Sequence, residues 1–110
     1  MKIICHKGLT QKQWFSEDIF QQMANVGAEV GRAINWKKKG DLNYCRLAFE
    51  RVLELLSLTI ADKKNVGRLK ELTRAREMLI DYFIFSNDYF STAEFWQKYF
   101  LAFNWAARVR

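Results

Sequence analysis

Residues 16–41 read SEDIFQQMANVGAEVGRAINWKKKGD, and the fold turns on whether this stretch is one helix. Ile19, Met23, Val26, Val30 and Ile34 recur at three- and four-residue steps, which puts them on one face of a helix. Upstream, Thr10 and Gln13 form a capping-box pattern. The helix therefore starts there or one turn later, with Ser16 as cap and Glu17 and Asp18 against the positive end of the dipole. It runs to about Trp36, where Lys37, Lys38 and Lys39 suit the negative end and Gly40 supplies a left-handed stop. A second row of small residues, Ala24, Gly27, Ala28 and Gly31, lies beside the apolar stripe. Glycine inside a helix costs about 1 kcal/mol relative to alanine. Such a row implies close approach, either of a neighbouring helix or of a ligand to the backbone.

Three more helices follow from the same rules. Asp41 caps a second, ending near Asp62, with Cys45, Ala48, Phe49, Val52, Leu55, Leu56 and Thr59 as its core face. Leu47, Leu53, Leu58 and Ile60 widen that face, so this helix is covered on more than one side. Lys63, Lys64 and Asn65 make a short turn, with Asn65 capping a third helix through about Phe85. The segment SNDYF, residues 86–90, is the next connection. Ser91 and Glu94 then form a capping box for a fourth helix, whose core face is Phe95, Trp96, Tyr99, Phe100, Phe103, Ala106 and Ala107. Helices of roughly 20 residues are about 30 Å long, and short connections turn sequential neighbours antiparallel. The expected fold is all-α: an up-down-up-down four-helix bundle over residues 1–110, with a short extended N-terminal segment.

Composition agrees. The 110 residues include no proline and only five glycines, too few turn formers for a sheet protein of this size. Half are apolar and 15% aromatic, which excludes disorder. Two cysteines are too few for a disulfide framework, and MKIICHKG at the start lacks the apolar core of a signal peptide. No apolar run approaches the roughly 20 residues of a membrane span, so the expected location is the cytoplasm, with no membrane partner.

Catalytic patterns are missing. The lone His6 and its neighbour Cys5 point apart in an extended chain, which suits neither a closed zinc site nor a nucleophile pair. There is no phosphate loop and no Glu-x-x-His pair, so neither cofactor nor enzyme activity is expected. The net charge of +6 favours acidic partners, an anionic protein face or a single-stranded nucleic acid. Lys37, Lys38, Lys39, Arg68, Lys70 and Arg74 form the candidate basic surface, interleaved with Trp36, Tyr44 and Trp105. Dipole compensation and solvation explain the same residues without a ligand.

Arg51 and Arg76 differ, because both fall within apolar arcs. Arg76 shares a face with Leu69, Leu72, Leu79 and Phe83. A guanidinium there meets a carboxylate, snorkels to an edge, or holds an anion, and fixing register between helices or across a dimer is the expected role. Surplus apolar residues, Met78, Tyr82 and Phe85 on the third helix and Leu101 and Trp105 on the fourth, suggest a partner surface. A symmetric homodimer is the first expectation.

The succession LAFERVLELLSLTIAD then GRLKELTRAREMLIDYF resembles small prokaryotic all-helical proteins, and its layout is similar to HEPN-type four-helix domains. That resemblance implies the fold and dimerisation. In many branches of that group an arginine followed four to six residues later by a histidine cuts RNA. Here His6 precedes every arginine, so the resemblance does not carry the activity.

Overall fold

The computed structural model describes residues 11–109. Among them the elements are α1 (Gln11–Phe15), α2 (Ile19–Lys38), α3 (Leu42–Ala61), a 3-10 helix (Lys63–Arg68), α4 (Leu69–Phe83) and α5 (Ala93–Val109). There is no strand among the described residues. The Thr10 cap and the extended N-terminal segment, with Cys5 and His6, lie outside those residues.

The first long helix is in fact two. Residues 16–18 break it, and the cap of α2 is Asp18 rather than Ser16: Gln21 N–H donates to the Asp18 carboxylate at 2.9 Å. Ser16 instead donates to the Gln13 carbonyl at 2.6 Å, closing α1. The other end of α2 is as expected, because Gly40 takes φ 79° and so lets the chain reverse. Gly40 N–H bonds Lys37 O at 3.1 Å and Asp41 N–H bonds Trp36 O at 3.0 Å, the two bonds of a Schellman motif. Asp41 then caps α3 by accepting from Tyr44 N–H at 3.1 Å.

The α3 to α4 connection departs further from expectation. Asn65 caps nothing; it is buried within the 3-10 helix, and α4 starts at Leu69 and ends at Phe83. Its amide donates to Gln22 Oε1 at 2.8 Å and to Thr59 O at 3.0 Å. Gln22 in turn donates to Asp62 Oδ2 at 2.9 Å and to Trp14 O at 3.0 Å. Trp14 Nε1 closes the set on Thr59 Oγ1 at 3.0 Å. This buried polar knot ties α1, α2, α3 and the 3-10 helix at one end of the molecule. Buried donors and acceptors are costly unless paired, and here every one of these side chains is.

The α4 to α5 connection is built on Asp81. Its two oxygens accept from the backbone N–H groups of Asp88 and Tyr89 at 2.9 and 3.0 Å, which explains why an acid is buried at 7% exposure. Asn87 and Phe90 take positive φ, 58° and 54°. Thr92, not Ser91, caps α5, accepting from Phe95 N–H at 3.0 Å. Ser91 is buried beneath Trp96, whose Nε1 donates to its hydroxyl at 3.1 Å.

The core follows the expected stripes: Met23, Val26, Val30, Ile34, Phe49, Val52, Leu55, Leu56, Leu72, Leu79, Trp96 and Phe100 are all buried in one cluster. Helix α2 packs against both α3 and α5, and α3 also meets α4, α1 and the 3-10 helix. That accounts for the breadth of the α3 apolar face. At Gly27 α2 and α5 approach closely: a Cβ there would sit 2.6 Å from Phe100 Cβ.

Candidate functional site

The close approach at Gly27 opens into a groove towards solvent. Gly31, one turn on, has open space where its Cβ would point. A half-open cavity of about 370 Å³ lies between α2 and α5, lined by Ala24, Ala28, Gly31 and Leu101, by amides, and by the edges of buried Ile34, Trp96 and Phe100. The small-residue row therefore serves helix packing at Gly27 and leaves a trough at Gly31. Of the amides around it, Asn25 donates to Glu17 at 3.2 Å and Gln21 reaches Asn25 at 3.5 Å. Gln97 and Asn104 also line the trough from α5.

The outer face of α5 adjoins this trough and is bare. Glu94, Gln97, Lys98, Leu101, Asn104, Trp105 and Arg108 are all exposed, Leu101 at 62% and Trp105 at 65%. No hydrogen bond or ion pair engages Glu94, Lys98 or Arg108 among the described residues. One flank of α5 meets α2. Its other flank reaches α4 through Tyr99, whose hydroxyl donates to Glu71 at 3.3 Å. Burial and the Glu71 charge push that hydroxyl well above the usual tyrosine range, so it stays a donor. The rest of the helix surface faces water.

The other expected surfaces look different once built. Tyr82 and Met78 are half-buried against the core, and only Phe85 of that stripe is strongly exposed, at 71%. Burial raises the Tyr82 hydroxyl, with Glu94 and Cys45 adding to the shift. Phe95, expected inside, is 44% exposed. Arg51 is exposed and Arg76 half-buried, and neither has an ion-pair or hydrogen-bond partner among the described residues. The apolar arc does not seal Arg76 away from water, so no buried carboxylate is required to balance it.

Part of the basic set is turned inward onto the chain's own rings. Lys37 Nζ lies 4.0 Å from the Tyr82 ring centroid and donates to Tyr82 O at 3.0 Å. Lys39 Nζ lies 5.0 Å from the Trp36 ring, which stacks on Tyr44 at 4.7 Å. Arg68 sits over Phe20 and Phe103 at 5.6 and 5.7 Å and pairs with Glu71 at 3.3 Å. Lys38, Lys70 and Arg74 remain exposed without such contacts.

The Cys45 thiol is buried, and burial raises its pKa, so thiolate is scarce. Among the described residues no group of three His, Cys, Asp or Glu side chains is placed to hold a metal. No helix among them is long and apolar enough to cross a membrane.

Comparison with protein-family models, with curated proteins and with solved structures returns no match.

Proposed function

We propose that this protein is a helical interaction module whose working surface is the outer face of α5 beside the α2/α5 trough. The exposure of Leu101 and Trp105 on one helix face is the observation that carries this reading. Large apolar side chains held in water on a rigid helix, next to a small-residue trough, suit the docking of another helix. In the same reading the four long helices make an up-down-up-down bundle acting as a single cytoplasmic domain, and the first partner to consider is a second copy of the chain. The resemblance of the sequence's helical layout to HEPN-type domains favours the same assembly, without their RNA-cutting residues.

Binding of an acidic protein or single-stranded nucleic acid is the second reading, favoured by the exposed Lys38, Lys70 and Arg74. The engagement of Lys37, Lys39 and Arg68 by the chain's own aromatic rings weighs against it. Native mass spectrometry across roughly 1–100 μM, a range that brackets micromolar association, tests the first reading. Masses above the single chain's are expected. One chain's mass throughout, with labelled single strands binding at about 50 mM salt and released at about 200 mM, favours the second.

A further inference from the structure

Seven exposed residues of α5 are arranged symmetrically about Leu101, while Phe95, Ala102 and Val109, also exposed, lie to one side of them. Helix α5 spans Ala93–Val109, so Leu101 is its midpoint. Glu94 and Arg108 lie seven residues before and after it, Gln97 and Trp105 four, and Lys98 and Asn104 three. Seven residues is close to two helical turns, so Glu94, Leu101 and Arg108 form one line along the exposed face. Gln97 and Asn104 fall on the side of that line towards the trough; Lys98 and Trp105 fall on the side away from it.

We infer that this face is a two-fold seam for a second copy of the chain, with the two α5 helices antiparallel and Leu101 on the axis. The inference rests on the interaction reading above and names its partner and register. A two-fold perpendicular to the helices places residues that precede Leu101 in one copy opposite residues that follow it in the other. Glu94 then meets Arg108 of the second copy, acid to base, and Arg108 meets Glu94 in return. On the trough side, Gln97 meets Asn104, two amides that donate and accept in the same plane. On the other side, Lys98 meets Trp105, an ammonium over an indole. Leu101 meets Leu101.

The chemistry is complementary in every pair, and only for the antiparallel arrangement. A parallel pair sets Glu94 on Glu94 and Arg108 on Arg108, which repels at both ends. Glu94, Lys98 and Arg108 have no ion-pair partner of their own among the described residues, so the seam breaks no existing pair. Its side chains are already exposed in the folded chain, so the helix needs no rearrangement to present them.

Two experiments on the full chain test the seam. In the first, Leu101→Cys in a Cys5→Ser background is mildly oxidised beside Ala102→Cys, also exposed but turned about 100° round the helix. Leu101→Cys is expected to cross-link most of the protein and Ala102→Cys little of it. In the second, Glu94→Arg and Arg108→Glu are each made alone, which converts both symmetry-related pairs from attraction to repulsion. Each is expected to weaken self-association about tenfold. Mixing the two single variants, or combining them in one chain, restores it, because each reversed position again meets its opposite. Circular dichroism confirms folding, which these exposed positions leave intact. A dimer that ignores both reversals and cross-links no better at Leu101 than at Ala102 overturns the seam while leaving self-association standing. Wild-type protein that stays a single chain to about 100 μM overturns the seam and the homodimer together.

Discussion

Gly27 and Gly31 are one turn apart on the same helix, and the same substitution is expected to act on them with opposite signs. At Gly27 an added methyl would lie 2.6 Å from Phe100 Cβ, 2.9 Å from Cγ and 3.0 Å from Cδ1, where ordinary contact begins near 3.4 Å. The nearest atom is a Cβ fixed to the α5 backbone, so no rotamer change moves it away. The helices must part by the difference, about 0.8 Å. Overpacking of this kind costs about 3 kcal/mol at its upper end, and the better helix propensity of alanine returns about 1 kcal/mol. Gly27→Ala is therefore expected to destabilise by about 2 kcal/mol. At Gly31 nothing lies within 4 Å of the added methyl, so only the propensity gain remains. Gly31→Ala is expected to stabilise by about 0.5–1 kcal/mol. Urea denaturation of both variants measures the difference, about 3 kcal/mol, and thermal melts read it as a gap of roughly 12 °C. Phe100→Ala, which removes the ring but keeps the Cβ, should not rescue Gly27→Ala. Two variants that shift in the same direction, or a rescue by Phe100→Ala, would refute the account of how α2 meets α5.

Other consequences follow from the polar groups. Gln22→Leu removes one of the two acceptors of the Asn65 amide, one of the donors to Asp62 and the side-chain donor to the Trp14 carbonyl, and should cost about 1–3 kcal/mol by denaturant titration. Burial pushes the Asp62 carboxyl up, but its hydrogen bonds from Lys64 and Gln22 together outweigh that and hold it below the usual range. A carboxyl lowered by folding adds stability above its unfolded pKa and loses it as pH falls through the folded value. The melting temperature should therefore fall below about pH 4, and Asp62→Asn should flatten the fall while lowering the neutral-pH melt. Arg76→Met keeps the side chain's volume at a half-buried site without an ion-pair partner. It should change stability by less than about 0.5 kcal/mol, and a loss of several would mean that Arg76 balances a buried acid after all.

The apolar periodicity of α2 and α3 told their faces correctly, and Gly40 and Asp41 told the turn between them, because those signals are local and act alone. Competing local signals misled. Ser16, Glu17 and Asp18 are all capping or dipole residues within one turn, and tertiary contact decided for Asp18: Gln22, four residues later, had to reach Trp14 and Asp62. Asn65 carries the signature of a cap, but its partners, Gln22 and the Thr59 carbonyl, are not sequence neighbours arranged in any local motif. Asp81 falls on the polar side of α4 by its spacing and is buried by a loop that folds back onto it. At the candidate surface, the small-residue row, Leu101 and Trp105 were visible in the sequence. The amides Gln97 and Asn104 carry no signal by residue type; their seven-residue spacing, repeated by Glu94, Leu101 and Arg108, is the mark the sequence offers. Arg51 and Arg76 stood out because a wheel has no edge; in the folded chain both reach water.

Sedimentation equilibrium of the wild type beside Leu101→Glu tests most directly whether the outer face of α5 is the working surface. The account predicts a monomer–dimer equilibrium for the wild type in the micromolar range, its average mass rising with concentration from the chain's 13.1 kDa towards twice that value, and a single chain for Leu101→Glu. A wild type that sediments at one chain's mass at every concentration, or a Leu101→Glu variant that dimerises as well as the wild type, would contradict it.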